Sequence, residues 1–132
     1  LRVGYAMASA EVADLMNRVR QPFNCNNLAI AAAAAALGDE EFVARSYALN
    51  RAGMEQIVAG LKRLGYAHIP SSGNFLAFKA GDAAALNQKL LKQGVIVRPV
   101  AGYGMPEWLR VTIGSENENA RFLEALAKVL SA

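Results

Sequence analysis

Cysteine and histidine are scarce in this sequence. The 132 residues include one cysteine, Cys25, and one histidine, His68. A single cysteine cannot form a disulfide within the chain, and one cysteine with one histidine cannot supply the ligand cluster of a structural metal site. The composition therefore predicts no metal site and indicates a reducing, cytoplasmic setting.

The sequence also lacks long apolar runs and concentrated charge. Hydrophobic residues make up 54% of the chain, but the apolar stretch at residues 29–37 is short and mostly alanine, whereas a membrane helix needs about 20 apolar residues. The net charge is +3, and the Lys and Arg residues are scattered rather than gathered into a basic stripe. These features predict a protein that neither spans a membrane nor binds nucleic acid.

The length of the chain sets its size class. A chain of 132 residues is near the usual size of one domain, so one compact unit is the default expectation. Its amino end has no initiator methionine and opens within a predicted strand at residues 1–5. We therefore expect the sequence to be a piece of a longer protein.

Helical signals dominate the first half of the chain. Apolar residues at spacings of three and four predict three helices, over residues 11–20, 27–37 and 40–64. Asn26 or Asn24 is suited to cap the second helix, and Gly38 is suited to end it in a left-handed conformation. Asp39 and Gly65 are suited to begin and end the third.

The second half alternates between strands and helices. Apolar and β-branched segments predict three strands, over residues 75–78, 95–97 and 108–113. One helix runs from Asp82 to Gly94, and the last helix begins with Ser115 and Glu118 as a capping box. The order predicts an α/β fold, a two-layer sandwich in which helices pack on one face of a small mixed sheet. We expect the strand of Arg110 to lie beside residues 75–78.

Three arginines lie in apolar surroundings. Arg2 lies within the opening segment, Arg98 follows three β-branched residues, and Arg110 lies between Leu109 and Val111. A guanidinium is always charged and binds carboxylate or phosphate through two parallel hydrogen bonds, so the three residues indicate an anion site. Each could instead face solvent or form an ion pair within the chain.

The sequence resembles the fold-type I aminotransferases, and in detail the histidinol-phosphate aminotransferase family. Five segments carry the resemblance in the same order, and an NENARFL segment at 117–123 follows them: LRVGY at 1–5, RQPFNCNNLA at 20–29, SGNFL at 72–76, GVIVRP at 94–99 and LRVTIG at 109–114. The resemblance covers essentially the whole chain. It implies a carboxy-terminal fragment, inactive by itself, of an enzyme of histidine biosynthesis.

The resemblance implies roles for the three arginines. Arg2 matches the arginine that contacts the phosphate of pyridoxal 5'-phosphate, the cofactor of the family. Arg110 matches the arginine that binds the carboxylate of the amino or keto acid. Arg98 matches the one that helps hold the distal anionic group, which is the phosphate of histidinol phosphate or the side-chain carboxylate of glutamate. The parent enzyme would exchange an amino group between histidinol phosphate and 2-oxoglutarate, as a homodimer.

The resemblance also implies where other functional groups lie. The lysine that carries the cofactor, the aspartate facing its pyridine nitrogen and the stacking aromatic residue would precede Leu1, so no catalytic residue is expected within this chain. Residues 1–27 would end the large cofactor-binding domain, and residues 28–132 would form the small domain. The lysines, including Lys62 and Lys79, are interpreted as solvated, and His68 and Cys25 as structural. Asn24 and Asn26 would lie near the site, where helix capping is their favoured role.

Two other interpretations stay open. One is a related pyridoxal-phosphate aminotransferase or decarboxylase that acts on another substrate, such as an aromatic amino acid or threonine phosphate. The other, from a different class, is a stand-alone binding module without catalytic activity. The preceding residues of the reading frame would discriminate between an enzyme and such a module.

Overall fold

The computed structural model of the protein describes residues 1–130. Within them the chain divides into two compact units, Leu1–Ala44 and a second that begins at Arg45. No helix among the described residues is both long enough and apolar enough to cross a lipid bilayer.

The first unit contains two helices close to the predicted positions. Helix α1 spans Ala10–Val19, and helix α2 spans Asn27–Leu37. The side chain of Asn26 caps α2, because its Oδ1 accepts a hydrogen bond of 2.8 Å from the backbone N–H of Ala29. Capping by Asn26 is therefore confirmed, whereas Asn24 lies before the cap and accepts a long hydrogen bond from Arg20.

Two predictions for the first unit are wrong. Residues 1–5 form no strand, because a strand needs a neighbour to pair with and none of the described residues pairs with this segment. Gly38 is right-handed, with φ −88° and ψ −5°. Its N–H bonds to Ala35 O, and the N–H of Asp39 bonds to Ala36 O. The chain thus turns directly into the next helix and needs no left-handed residue.

Helix α3 spans Glu40–Arg63 and ends as predicted. Asp39 Oδ1 accepts a hydrogen bond of 3.0 Å from the N–H of Phe42 at its start. Gly65 has φ +80°, and the N–H of Tyr66 bonds back to Leu61 O at 2.9 Å. This left-handed cap satisfies the last carbonyls of α3 and favours glycine at that position.

The second unit contains a three-stranded sheet. Its strands are β1 at Phe75–Lys79, β2 at Arg98–Pro99 and β3 at Trp108–Thr112. The order is β1-β3-β2, and both pairings are antiparallel. The α/β class and the pairing of Arg110's strand with residues 75–78 are confirmed, but the sheet is antiparallel throughout instead of mixed. The outer strands β1 and β2 run in the same direction on either side of β3.

Strand β2 begins later than predicted. Helix α4 spans Ala83–Lys92, and Gly94 ends it with φ +72°. The N–H of Val95 bonds to Leu90 O at 3.0 Å. This N–H therefore caps the end of α4 and does not pair with a strand. Residues 95–97 therefore lie outside the ladder, although Val95 and Val97 are buried.

The core lies between one face of the sheet and helices α3, α4 and α5, the last at Glu116–Leu130. Phe78 at its centre is fully buried and meets Tyr66 and Phe122 edge-on, with ring centroids 5.4 and 5.9 Å apart. Leu109 and Val111 of β3 face the same core. Because side chains alternate along a strand, Arg110 between them faces the opposite side of the sheet.

We expect the amino-terminal segment to exchange its amide hydrogens much faster than the sheet does. Residues 2–7 have no strand partner among the described residues and are exposed, whereas Val111 and Thr112 pair with β1 and the N–H of Ile113 bonds to Asn74 O at 2.8 Å. Hydrogen exchange of the 132-residue chain should therefore show protection factors for residues 2–7 that are lower than those of residues 111–113 by about a hundredfold or more. Equal protection of the two segments would contradict this expectation.

Candidate anion-binding site

Two of the three predicted arginines lie side by side on the open face of the sheet. The register pairs Arg98 of β2 directly with Arg110 of β3. Residues directly opposite each other in an antiparallel pair point to the same face, with Cβ atoms about 4.5–5.5 Å apart, and like charges in such positions repel each other. An anion between or beside the two guanidinium groups would remove that repulsion.

The described residues supply no such anion from the chain itself. Across residues 1–130, neither arginine has an ion pair or a side-chain hydrogen bond, and Nε of Arg110 is buried without a hydrogen-bond partner. Among the described residues, neither Arg98 nor Arg110 forms the intramolecular ion pair that was one of the alternatives. The other alternative, an arginine that simply faces solvent, fits Arg98, which is exposed. It does not fit Arg110, which is half-buried.

A carboxylate does lie near the pair, but it is already engaged. Glu118 lines the same cavity as Arg98 and Arg110, with a volume of about 670 Å³. One of its oxygens accepts hydrogen bonds of 2.8 Å from both the backbone N–H and the hydroxyl of Ser115. These bonds, the backbone one first, lower the pKa of the Glu118 carboxyl. Glu118 thus completes the predicted capping box of α5, and among the described residues it forms no ion pair with Arg98 or Arg110.

Arg110 is held on its other side by an aromatic ring. Its guanidinium carbon lies 4.6 Å from the ring centroid of Phe75. The register pairs Ala77 with Arg110 and Phe75 with Thr112, so Phe75 is the diagonal cross-strand neighbour of Arg110 on the open face. A guanidinium stacked over an aromatic face is attracted by the ring quadrupole.

A second cavity, of about 430 Å³, adjoins Arg110 on this side. Phe75, Val100, Tyr103 and Met105 are among its lining residues. Tyr103 belongs to a short 3-10 turn at Ala101–Tyr103 and is exposed. Arg110 therefore lies between a cationic cavity and a largely apolar one, an arrangement suited to a molecule with an anionic group beside a less polar part.

Arg2 lies in the first unit and is not part of this pair. It is exposed, and no ion pair to it is found among residues 1–130. Its φ of +65° is in the left-handed region, which is uncommon for a residue with a Cβ. Lys79 and His68, which were not expected to be catalytic, lie at the surface and the edge of the sheet. Lys79 forms an exposed ion pair of 3.3 Å with Glu107. His68 forms an isolated antiparallel bridge with Phe78.

Sequence reasoning missed Phe75 as part of the site. It grouped residues 75–78 as one apolar strand, although the burial alternates: Leu76 and Phe78 are in the core, and Phe75 is 42% exposed. The sequence did contain a signal for this. Side chains two positions apart on a strand point to the same face, so Phe75 shares a face with Ala77 and hence with Arg110, the partner of Ala77.

Comparison with known proteins identifies the family of the chain. A family model described as aminotransferase class I and II matches residues 1–126. The chain is 78% identical over 130 residues to histidinol-phosphate aminotransferase 1 of Dechloromonas aromatica (strain RCB), covering 98% of this chain and 36% of that protein.

Solved structures share the fold. The histidinol-phosphate aminotransferase from Clostridium acetobutylicum superposes with a TM-score of 0.79 at 23% identity, over 92% of this chain and 38% of that one. The histidinol-phosphate aminotransferase from Sinorhizobium meliloti, solved in complex with pyridoxal-5'-phosphate, gives a TM-score of 0.73 at 23% identity over 92% and 34%. The chain thus spans about a third of the length of the proteins that it matches.

Proposed function

The chain belongs to the class I and II aminotransferases, and we propose that it is the carboxy-terminal part of an enzyme that exchanges an amino group between histidinol phosphate and 2-oxoglutarate. The natural polypeptide that contains this chain is called the full-length protein. The 78% identity to a histidinol-phosphate aminotransferase supports the choice of substrate. The observation that carries the proposal is the cross-strand pair of arginines, neither of which forms an ion pair within residues 1–130.

The arginine pair fits substrates that carry one or two anionic groups. Glutamate and 2-oxoglutarate have two carboxylates, whereas histidinol phosphate has a single anionic group, its phosphate. Arg110, fixed on one face by Phe75, binds the carboxylate of the amino or keto acid through two parallel hydrogen bonds. Arg98, exposed at the edge of the sheet, holds the distal group, which is the phosphate or the side-chain carboxylate. Together they bind and orient the substrate, which is the part of catalysis assigned to this chain.

The cofactor of the proposed reaction is pyridoxal 5'-phosphate, which supplies the electron sink for amino-group transfer. Arg2 would contact its phosphate. The exposed guanidinium of Arg2, with no ion pair among residues 1–130, is compatible with that role. We assign no catalytic role to any residue of this chain, and we place the lysine that carries the cofactor in the remainder of the full-length protein.

The proposed organisation follows from the same family. Residues 1–27 would belong to the large cofactor-binding domain and residues 28–132 to the small domain. The full-length protein would be a cytoplasmic homodimer. Sedimentation of the full-length protein checks the dimer directly.

The function is tested by assaying the full-length protein with pyridoxal 5'-phosphate. Histidinol phosphate with 2-oxoglutarate should give the highest kcat/KM, and phenylalanine or threonine phosphate as amino donor should give values lower by about tenfold or more. A preference for an aromatic amino acid would favour the related aminotransferase instead. Absence of transfer with every donor would favour a binding module without catalytic activity.

A further inference from the structure

Phe75 is in an unusual position for a large aromatic residue. It lies on the open face of the sheet, 42% exposed, while its neighbours Leu76 and Phe78 fill the core. It contributes nothing to the buried cluster between the sheet and the helices. The Phe75 ring instead contacts the guanidinium of Arg110, whose carbon lies 4.6 Å from the ring centroid.

The ring limits where the Arg110 side chain can go. A free arginine has several rotatable bonds and loses their freedom when it binds an anion. Stacking on Phe75 holds one face of the guanidinium, and Arg98, directly opposite on β2, repels it from the other side. Because Nε is buried without a partner, the terminal nitrogens carry the donors that an anion can reach. The guanidinium is thus oriented before any ligand arrives.

We propose that Phe75 is a positioning residue that preorganises Arg110 for the carboxylate of the substrate. This inference rests on the proposed function for the identity of the ligand. The Phe75 ring acts through its aromatic face, so we expect that an aliphatic side chain of similar volume cannot replace it. Phe75 touches Arg110, and Arg110 is the residue to which the proposed function assigns the substrate carboxylate.

The test compares Phe75→Leu and Phe75→Tyr in the full-length protein loaded with its cofactor. The probe is succinate, a dicarboxylate that cannot accept an amino group, and its Kd is measured by calorimetry. Phe75→Leu should raise that Kd by about three- to tenfold, and Phe75→Tyr by less than about twofold. KM for 2-oxoglutarate should rise in parallel with little change in kcat. Leu91→Ala on α4, where the side chain is 41% exposed, is the matched control and should leave both values unchanged.

A double-mutant cycle separates positioning from a general structural effect. In an Arg110→Gln background there is no cation to stack, so Phe75→Leu should change the Kd by less than about twofold. The proposal is overturned by an unchanged Kd in Phe75→Leu, by an equal loss in Phe75→Tyr, or by an equal effect in both backgrounds. If the full-length protein transfers no amino group but the succinate results are as expected, the proposed function fails and the role of Phe75 stands.

Discussion

Replacing Arg110 with alanine in the full-length protein is expected to lower kcat/KM by about a hundredfold, or ~3 kcal/mol, with glutamate and with 2-oxoglutarate alike, because both carry the carboxylate assigned to Arg110. Arg110 is half-buried beside Phe75 and faces a cavity whose carboxylate, Glu118, is already bound to Ser115. Without the guanidinium, a partly desolvated anionic group of the substrate would have no charge-assisted partner. Steady-state kinetics with each substrate varied in turn measures the loss.

Arg98→Ala provides the informative comparison. Arg98 is exposed at the edge of the sheet, so its charge acts through more solvent and its loss should cost less. We expect a rise in KM of about tenfold for histidinol phosphate and glutamate, with little change for an uncharged aromatic amino acid. Arg18→Ala, which removes an exposed arginine paired with Asp14, is the control for the loss of a surface charge. An equal loss in Arg98→Ala on all three substrates would contradict its role at the distal anion.

The parts of the fold that sequence predicts well are those fixed by neighbouring residues. Gly65 and Gly94 end their helices in the left-handed conformation because each allows the next N–H to bond back to the helix. The capping box of Ser115 and Glu118 likewise needs only residues three positions apart. Such signals are complete within one turn of chain, so the sequence alone displays them.

The errors arise where a structure depends on distant partners. Residues 1–5 have the composition of a strand but no partner strand among residues 1–130. Val95 has strand propensity, but its N–H bonds to Leu90 O, and local helix capping therefore prevails over the sheet. Composition records what a residue favours, and pairing decides whether that preference is realised.

The candidate site falls between these two cases. Arg98 and Arg110 stand out in the sequence because each is a charge in an apolar strand. Their placement directly opposite each other follows from the register of β2 on β3, which sequence reasoning did not specify. The contact between Phe75 and Arg110 joins residues that are far apart in the chain, and it required the pairing of β1 with β3.

The close packing of α3 against the end of β3 leads to the second large effect, on stability. Gly53 of α3 is buried, and a Cβ added there would lie 2.6 Å from Ile113 Cγ2, 2.7 Å from Asn119 Nδ2 and 3.2 Å from the carbonyl oxygen of Gly114. The Asn119 amide cannot move away easily. It is 2% exposed, its Oδ1 accepts from the N–H of Gly114 at 2.9 Å, and its Nδ2 donates to Gly114 O at 3.1 Å.

Gly53→Ala is therefore expected to destabilise the protein, although alanine is the better helix former. The gain in helix propensity is about 1 kcal/mol, whereas overpacking a rigid contact of this kind costs about 3 kcal/mol. A net loss of about 2 kcal/mol should lower the melting temperature of the full-length protein by roughly 2–4 °C, because the shift per kcal/mol falls with length and this chain spans about a third of its relatives. Gly102→Ala is the matched control, because a Cβ at Gly102 meets nothing within 4 Å, and its melting temperature should stay within about 1 °C of the unmodified protein. If Gly53→Ala melted at the same temperature as that control, the contact between α3 and Asn119 would not be as rigid as its hydrogen bonds indicate.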